Sequence, residues 1–246
     1  MRNAQGRPPA RSAAGRAKRK DGRPGAAPAA VGAAARSRAG SASGGRSTQA
    51  AARRQAILDA ALTVFAEHGY EAARLDDVAA HAGVAKGTLY LYFKDKQALF
   101  AALVRSAVSP ILDTVGAAVG APDMKAADIL DLAFALFQKE VLGTKRKLLL
   151  RLIISEGPRF PALAAFYHRE VVSRGMKLMR AVAERAVARG EFPSHAAARF
   201  PQLVFAPLLL AVVWDGLFAK IDPLDVAGLL RAHREVLTGR PRRSLP

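Results

Sequence analysis

The stretch from Leu75 to Phe93, LDDVAAHAGVAKGTLYLYF, leaves the chain few choices of fold. Gly83 stands between two short runs of helical spacing, where the chain must reverse with a positive φ that a residue lacking Cβ adopts without steric cost. Asp76 and Asp77 put negative charge on the first turn of the leading run, the end where unpaired N–H groups and the helix dipole favour it. Val78, Ala82, Val84 and Leu89 are the apolar positions, and Ala79 is small where two helices would cross closely. They predict one small internal face shared by two helices at a fixed angle, a helix-turn-helix.

What remains on the second helix is suited to DNA. The N-terminal end of a recognition helix meets base edges in the major groove, so Lys86 is placed to donate to guanine O6 or N7. Gly87 has no side chain, which lets the backbone approach a base. Thr88, Tyr90 and Tyr92 carry hydroxyls that can donate to phosphate oxygens and set the register. The competing reading makes both tyrosines core aromatics with wet tips.

Phe65-Ala66-Glu67-His68-Gly69-Tyr70, Asp77-Val78-Ala79, Ala82-Gly83-Val84, Lys86-Gly87-Thr88-Leu89-Tyr90, Tyr92-Phe93 and Lys96 together resemble the N-terminal domain of TetR/AcrR-family transcriptional regulators. The resemblance runs from about Gln49 to Leu103. It implies that Lys86 and Gly87 read bases, and that Thr88, Tyr90, Tyr92 and Lys96 position the backbone. Two departures stand out. Ala73 and Arg74 occupy the place where the family usually has Ser or Thr before the first helix of the motif, so a cap and a phosphate hydroxyl are missing and Arg74 is the candidate replacement. Ala85 stands where Ser is common after the turn.

The formal charge of +18 points to polyanionic partners, most simply nucleic acid, although charge alone gives no sequence specificity. Much of it lies in residues 1–46, where Ala, Gly, Arg, Ser and Pro show no apolar periodicity and Asp21 is the one acid. That composition predicts a disordered basic tail. It reads as an arm that adds phosphate contacts or reaches a minor groove, as a solvated tail, or as an upstream extension from a misplaced start. The tail has no secretory apolar region, which fits a cytoplasmic protein.

From Ser47 or Thr48 as the expected cap, Ile57, Leu58, Ala61, Leu62 and Phe65 keep helical spacing up to a stop at Gly69. Asp95 is expected to cap a long helix from Lys96 to about Val115, with Leu99, Leu103 and Val108 facing inward and Pro110 bending it. Residues 123–142, 145–156, 160–189, 194–220 and 223–238 all have helical periodicity, broken at Gly143, at Gly157-Pro158, between Gly190 and Pro193, and at Asp222-Pro223. The expected fold is therefore all-α: a DNA-binding domain over residues 47–95, a helical effector-binding and dimerisation domain over residues 96–238, and a C-terminal tail over residues 239–246.

The apolar run LVFAPLLLAVVWDGLFA, residues 203–219, is shorter than a membrane span requires and contains Pro207 and Asp215. A packing or dimer helix fits better, paired with the stripe of Leu224, Leu229, Leu230 and Leu237 in a four-helix bundle with its copy. A two-fold dimer would read two half-sites about 34 Å apart. The resemblance implies a pocket for a small, largely apolar effector, for which Phe134, Phe137, Phe166, Tyr167 and Trp214 are candidate lining residues. An aromatic at helical spacing is more often plain core, and each of them reads that way first. The absence of cysteine excludes disulfides and thiolate zinc sites, and the five histidines lie in no paired metal spacing. Neither a phosphate loop nor a nucleophile elbow is present, so the expectation is a regulator with no catalytic residues, no metal and no cofactor. The alternative is an architectural protein binding nucleic acid nonspecifically through its tail.

Overall fold

Helices account for all the regular structure among the described residues, which in this computed structural model run from 33 to 239, with side chains described from Ser47. The chain divides into two compact units, Met1–Ser47 and Thr48–Pro246, and every contact discussed below belongs to the second. Of the expected basic tail, residues 1–32 lie outside the described part, as do residues 240–246.

The first helix, α1 (Ala33–Ala72), begins earlier than the hydroxyl residues suggested. Ser47 and Thr48 lie inside it and do not cap it. The stop at Gly69 is where the sequence put it, with φ 75 and ψ 174 breaking the helix before one last turn.

Helices α2 (Leu75–His81) and α3 (Lys86–Tyr92) form the expected pair. Gly83 has φ 64, and Val84 N–H donates to the Ala79 carbonyl at 3.0 Å to close the reversal. Helix α4 (Lys96–Gly120) is capped by Asp95, whose carboxylate accepts from Ala98 N–H at 2.7 Å. It runs five residues past the expected end and contains Pro110. By length and composition alone α4 could cross a membrane, but Leu99, Phe100, Leu103 and Val104 are buried inside the protein.

Helix α5 (Ala126–Leu136) continues into a π-helical turn, Phe137–Leu142; α6 (Lys147–Glu156) and α7 (Pro161–Tyr167) follow. A second π turn, His168–Val172, joins α7 to α8 (Ser173–Ala188). The single helix expected over residues 194–220 is broken, giving α9 (Ala196–Arg199) and α10 (Gln202–Leu217). Phe200 precedes Pro201 and takes φ −125, ψ 79, because the proline ring excludes the helical conformation from the residue before it. The last helix is α11 (Val226–Thr238).

Two apolar cores result. The first gathers Leu58, Phe65, Tyr70, Val78 and Leu89 with Phe100 and Leu103, and takes in Leu149, Leu152, Leu163 and Tyr167 from the distant α6 and α7. Phe65, Tyr70, Phe100 and Phe160 form its aromatic chain, with adjacent ring centroids 5.4 to 6.0 Å apart. The second joins Val115, Ile129, Leu130 and Phe134 to Met179, Val182, Val204, Leu208 and Leu230. Helix α4 passes through both: Leu99 to Ala107 belong to the first core, Val115 and Ala118 to the second.

Candidate nucleic-acid interface and effector cavity

Burial within the pair α2 and α3 separates packing residues from presenting ones. Val78, Ala79 and Leu89 are buried, and Ala82 and Val84 pack against them. Lys86, Gly87 and Tyr90 are exposed, while Thr88 and Tyr92 are half-buried. Tyr92 packs on the first core beside Phe93, so the wet-tipped core reading holds for that ring; Tyr90, 45% exposed, stands out in solvent. Leu91 was not anticipated. It is 85% exposed and lies one turn beyond Gly87 on the same face, where an apolar side chain can meet a thymine methyl. Its sequence signal was only a leucine out of phase with the apolar positions.

Lys86 Nζ lies 2.9 Å from Asp76 Oδ2, and this hydrogen bond raises the lysine's pKa above its ordinary value. Both partners are solvent-exposed, so exchanging Asp76 for a base edge or phosphate involves a pair of little net worth. Gly87 is the second residue of α3, and a Cβ built there would meet nothing within 4 Å. Nothing inside the chain requires glycine at this position. Arg74 and Ala85 are the N-cap residues of α2 and α3, and neither side chain makes a capping hydrogen bond. Arg74 is exposed at the mouth of the motif.

Lys96 has an internal task that sequence reasoning missed. Its Nζ donates to the carbonyls of Glu71 at 2.7 Å and Ala73 at 3.2 Å, and sits 4.9 Å from the Tyr70 ring centroid. It satisfies carbonyls left over at the end of α1, and burial lowers its pKa. One donor remains for any outside partner.

An apolar cavity of about 320 Å³ lies at the seam of the two cores, bounded by α4, α5 with its π turn, α6, the second π turn, α8 and α10. Phe134, Phe137 and Tyr167 line it, together with Phe205, Met176 and Met179. Burial pushes the Tyr167 hydroxyl up to about 12. Two candidates are corrected. Phe166 packs edge-on to Phe100 between Arg105 and Arg169, on the first core. Trp214 donates through Nε1 to the Asp222 carbonyl at 2.6 Å and stacks edge-on with Phe218, where α10 ends. Helical spacing marked both as inward-facing, but it could not say which side of α7 or α10 a void adjoins.

Contacts tie the cavity wall to α4, and the segment after α6 to the end of α1. Glu170, in the second π turn beside the cavity residues Val171 and Val172, accepts from Arg105 of α4 through both oxygens at 3.0 and 3.3 Å. These hydrogen bonds hold its carboxyl below the usual range. Beyond α6, Phe160 packs on Tyr70 at 5.4 Å and Arg159 donates to Glu71 at 2.7 Å. The Glu156 carboxylate lies against Gly69, 3.3 Å from where a Cβ would stand.

A sequence profile described as "Bacterial regulatory proteins, tetR family" matches residues 57–103, and one described as "Tetracyclin repressor-like, C-terminal domain" matches residues 125–232. The chain belongs to the TetR family of bacterial transcriptional regulators. Among its TetR-family relatives, the "Fatty acid metabolism regulator protein" of Bacillus subtilis is 40% identical over 57 residues, which cover 23% of this chain and 29% of that protein. The "HTH-type transcriptional regulator SrpR" of Pseudomonas putida is 27% identical over 193 residues, 78% of this chain and 88% of that one. Of solved structures, the fatty acid degradation regulator FadR from Bacillus halodurans superposes with a TM-score of 0.62 at 25% identity, covering 76% of this chain and 94% of that one. FadR from Bacillus subtilis, solved in complex with stearoyl-CoA, gives 0.59 at 21% identity, covering 75% and 97%. This TetR-family chain matches through both helical regions, which disfavours the architectural, tail-driven reading.

Proposed function

We propose that the protein is a homodimeric repressor of the bacterial cytoplasm, released from its operator by a small, largely apolar effector. Residues 47–95 would read DNA and residues 96–238 would bind the effector and dimerise, leaving basic segments at both ends. Arg74, Lys86, Gly87, Thr88, Tyr90, Tyr92 and Lys96 are the proposed DNA contacts, joined by Leu91. The observation that carries this reading is a cavity placed where α4, the helix leading out of the motif, passes from one core to the other. A ligand that prefers a wider seam shifts α4, and with it the spacing of two reading heads, by population shift. Leu203, Leu209, Leu210 and Leu217 of α10 and Val236 of α11 are exposed apolar residues available for the dimer contact. The stearoyl-CoA bound to the structural relative supports a chain-shaped apolar ligand.

The test is a titration of the purified protein against labelled DNA from its own upstream region, at near-physiological salt with excess random competitor. Retention of one fragment with dimer stoichiometry is expected. Equal competition by all fragments, including random DNA, overturns the reading.

A further inference from the structure

Among the residues lining the cavity, Arg146 alone carries a charge. A guanidinium is a poor way to seal an apolar cavity, since an aliphatic side chain would do so without desolvating a cation. Arg146 stands at the N-terminal edge of α6 and is 33% exposed, which places it at a rim that both solvent and a ligand can reach. Its Nη1 donates to Glu140 Oε2 at 2.6 Å and weakly to the Glu140 carbonyl at 3.5 Å. These are the side-chain hydrogen bonds it makes among the described residues, so Nε and Nη2 keep a fork suited to a planar anion. The neighbouring cations are turned to other tasks: Lys147 pairs with Asp215 at 2.8 Å, and Lys145 donates to Thr63 at 3.3 Å.

Glu140 belongs to the first π turn, whose Phe137 and Val141 line the same cavity. π turns are uncommon and concentrate at functional sites. Here one presents an internal carboxylate to the single cation of an apolar chamber. We propose that Arg146 is the head-group anchor of the cavity, and that the effector is an amphiphile with an apolar chain and an anionic group that takes the place of Glu140 at the guanidinium. The chain occupies the space beside Leu149, Leu150 and Phe134. Displacement of Glu140 frees the π turn between α5 and α6, so head-group recognition and rearrangement of the cavity wall are one event. This inference rests on the effector reading above and narrows its chemistry.

The experiment compares decanoate, decanoyl-coenzyme A and decanol by calorimetric titration of the full-length protein, with operator release measured in parallel. At least one anion is expected to bind about tenfold or more tightly than decanol, as a charge-assisted pair allows. Arg146→Gln should erase that preference while leaving decanol affinity unchanged, Arg146→Lys should restore part of it, and Glu140→Gln should tighten the anion by removing its competitor. Preference for decanoate assigns a carboxylate head; preference for decanoyl-coenzyme A alone assigns a phosphate. The proposal is overturned if decanol equals both anions, if Arg146→Gln weakens all three alike, or if none binds. Decanol binding and operator release without an anion preference would sink this inference and leave the regulator reading standing, whereas loss of any specific operator complex would sink that reading itself.

Discussion

Gly87→Ala separates folding from DNA reading at a single methyl group. A glycine within a helix costs roughly 0.5–1 kcal/mol relative to alanine, through backbone entropy. The added Cβ meets nothing within 4 Å, so no clash offsets the gain. Gly87 lies in the first turn of α3 and not in a helix interior, so folding stability should rise by up to about 0.5 kcal/mol, with the thermal midpoint rising by about 2–4 °C per kcal/mol for a chain of this size. Position 87 faces outward on the helix proposed to enter the major groove, so the same methyl should obstruct close approach to base edges. A loss of about tenfold in operator affinity, roughly 1.4 kcal/mol, is expected, while binding to random DNA changes little. Thermal and urea denaturation give the first quantity, competition titration against operator and random DNA the second. Unchanged operator affinity would refute the contact assigned to Gly87, and a fall in stability would refute the open space drawn around it.

The other predictions use the same pair of measurements. Ala85→Ser supplies the missing N-cap of α3 and should add about 1 kcal/mol of stability, read by urea denaturation; no change would mean the N-terminal donors of α3 are already satisfied. Lys86→Ala should relax base preference, whereas Tyr90→Phe should weaken all sequences by about 1 kcal/mol; equal effects across a panel of operator variants would contradict this division of roles. Arg105→Ala and Glu170→Ala each break the contact between α4 and the second π turn, so a double-mutant cycle on effector-induced operator release should show coupling, and additive effects would remove this pair from the transmission route. Burial lowers the pKa of His233, which lies 6.2 Å from the Phe134 ring, so the folded state disfavours its charged form. Its folded pKa lies below its unfolded one, so stability falls as pH drops through about 6.5 and the penalty is complete below the folded value. His233→Gln should flatten that part of the stability profile measured by chemical denaturation.

The helical architecture was legible because each segment carries a 3.6-residue apolar period and its breaks sit at Gly or Pro, as at Gly69 and Gly83. The presenting face of α3 was legible for the same reason, as the residues left over from packing. Other features depend on contacts between residues far apart in sequence, and periodicity holds no record of those. Lys96 spends its ammonium on Glu71 and Ala73 because the end of α1 happens to reach it. Phe166 and Trp214 have the spacing of cavity residues but face other neighbours. The π turns insert a residue's worth of drift into helices whose sequences read as continuous, and Arg146 looked like one more cation in the basic run Lys145-Arg146-Lys147.

The composition of the first core limits how far this protein can be treated as interchangeable parts. Leu149, Leu152 and Leu163 come from beyond α4 yet belong to the same core as Phe65, Tyr70 and Phe100. A chimera cut at residue 95, joining this reading head to another regulator's sensing half, would inherit foreign side chains at those three places and leave that core badly packed. A graft that carries α6 and α7 along with the head keeps those leucines, but it also keeps Arg146, at the N-terminal edge of α6, and Glu170, in the turn that follows α7. The reading head and the helices that follow α4 therefore share one set of buried leucines, and swapping one without the other amounts to redesigning a core.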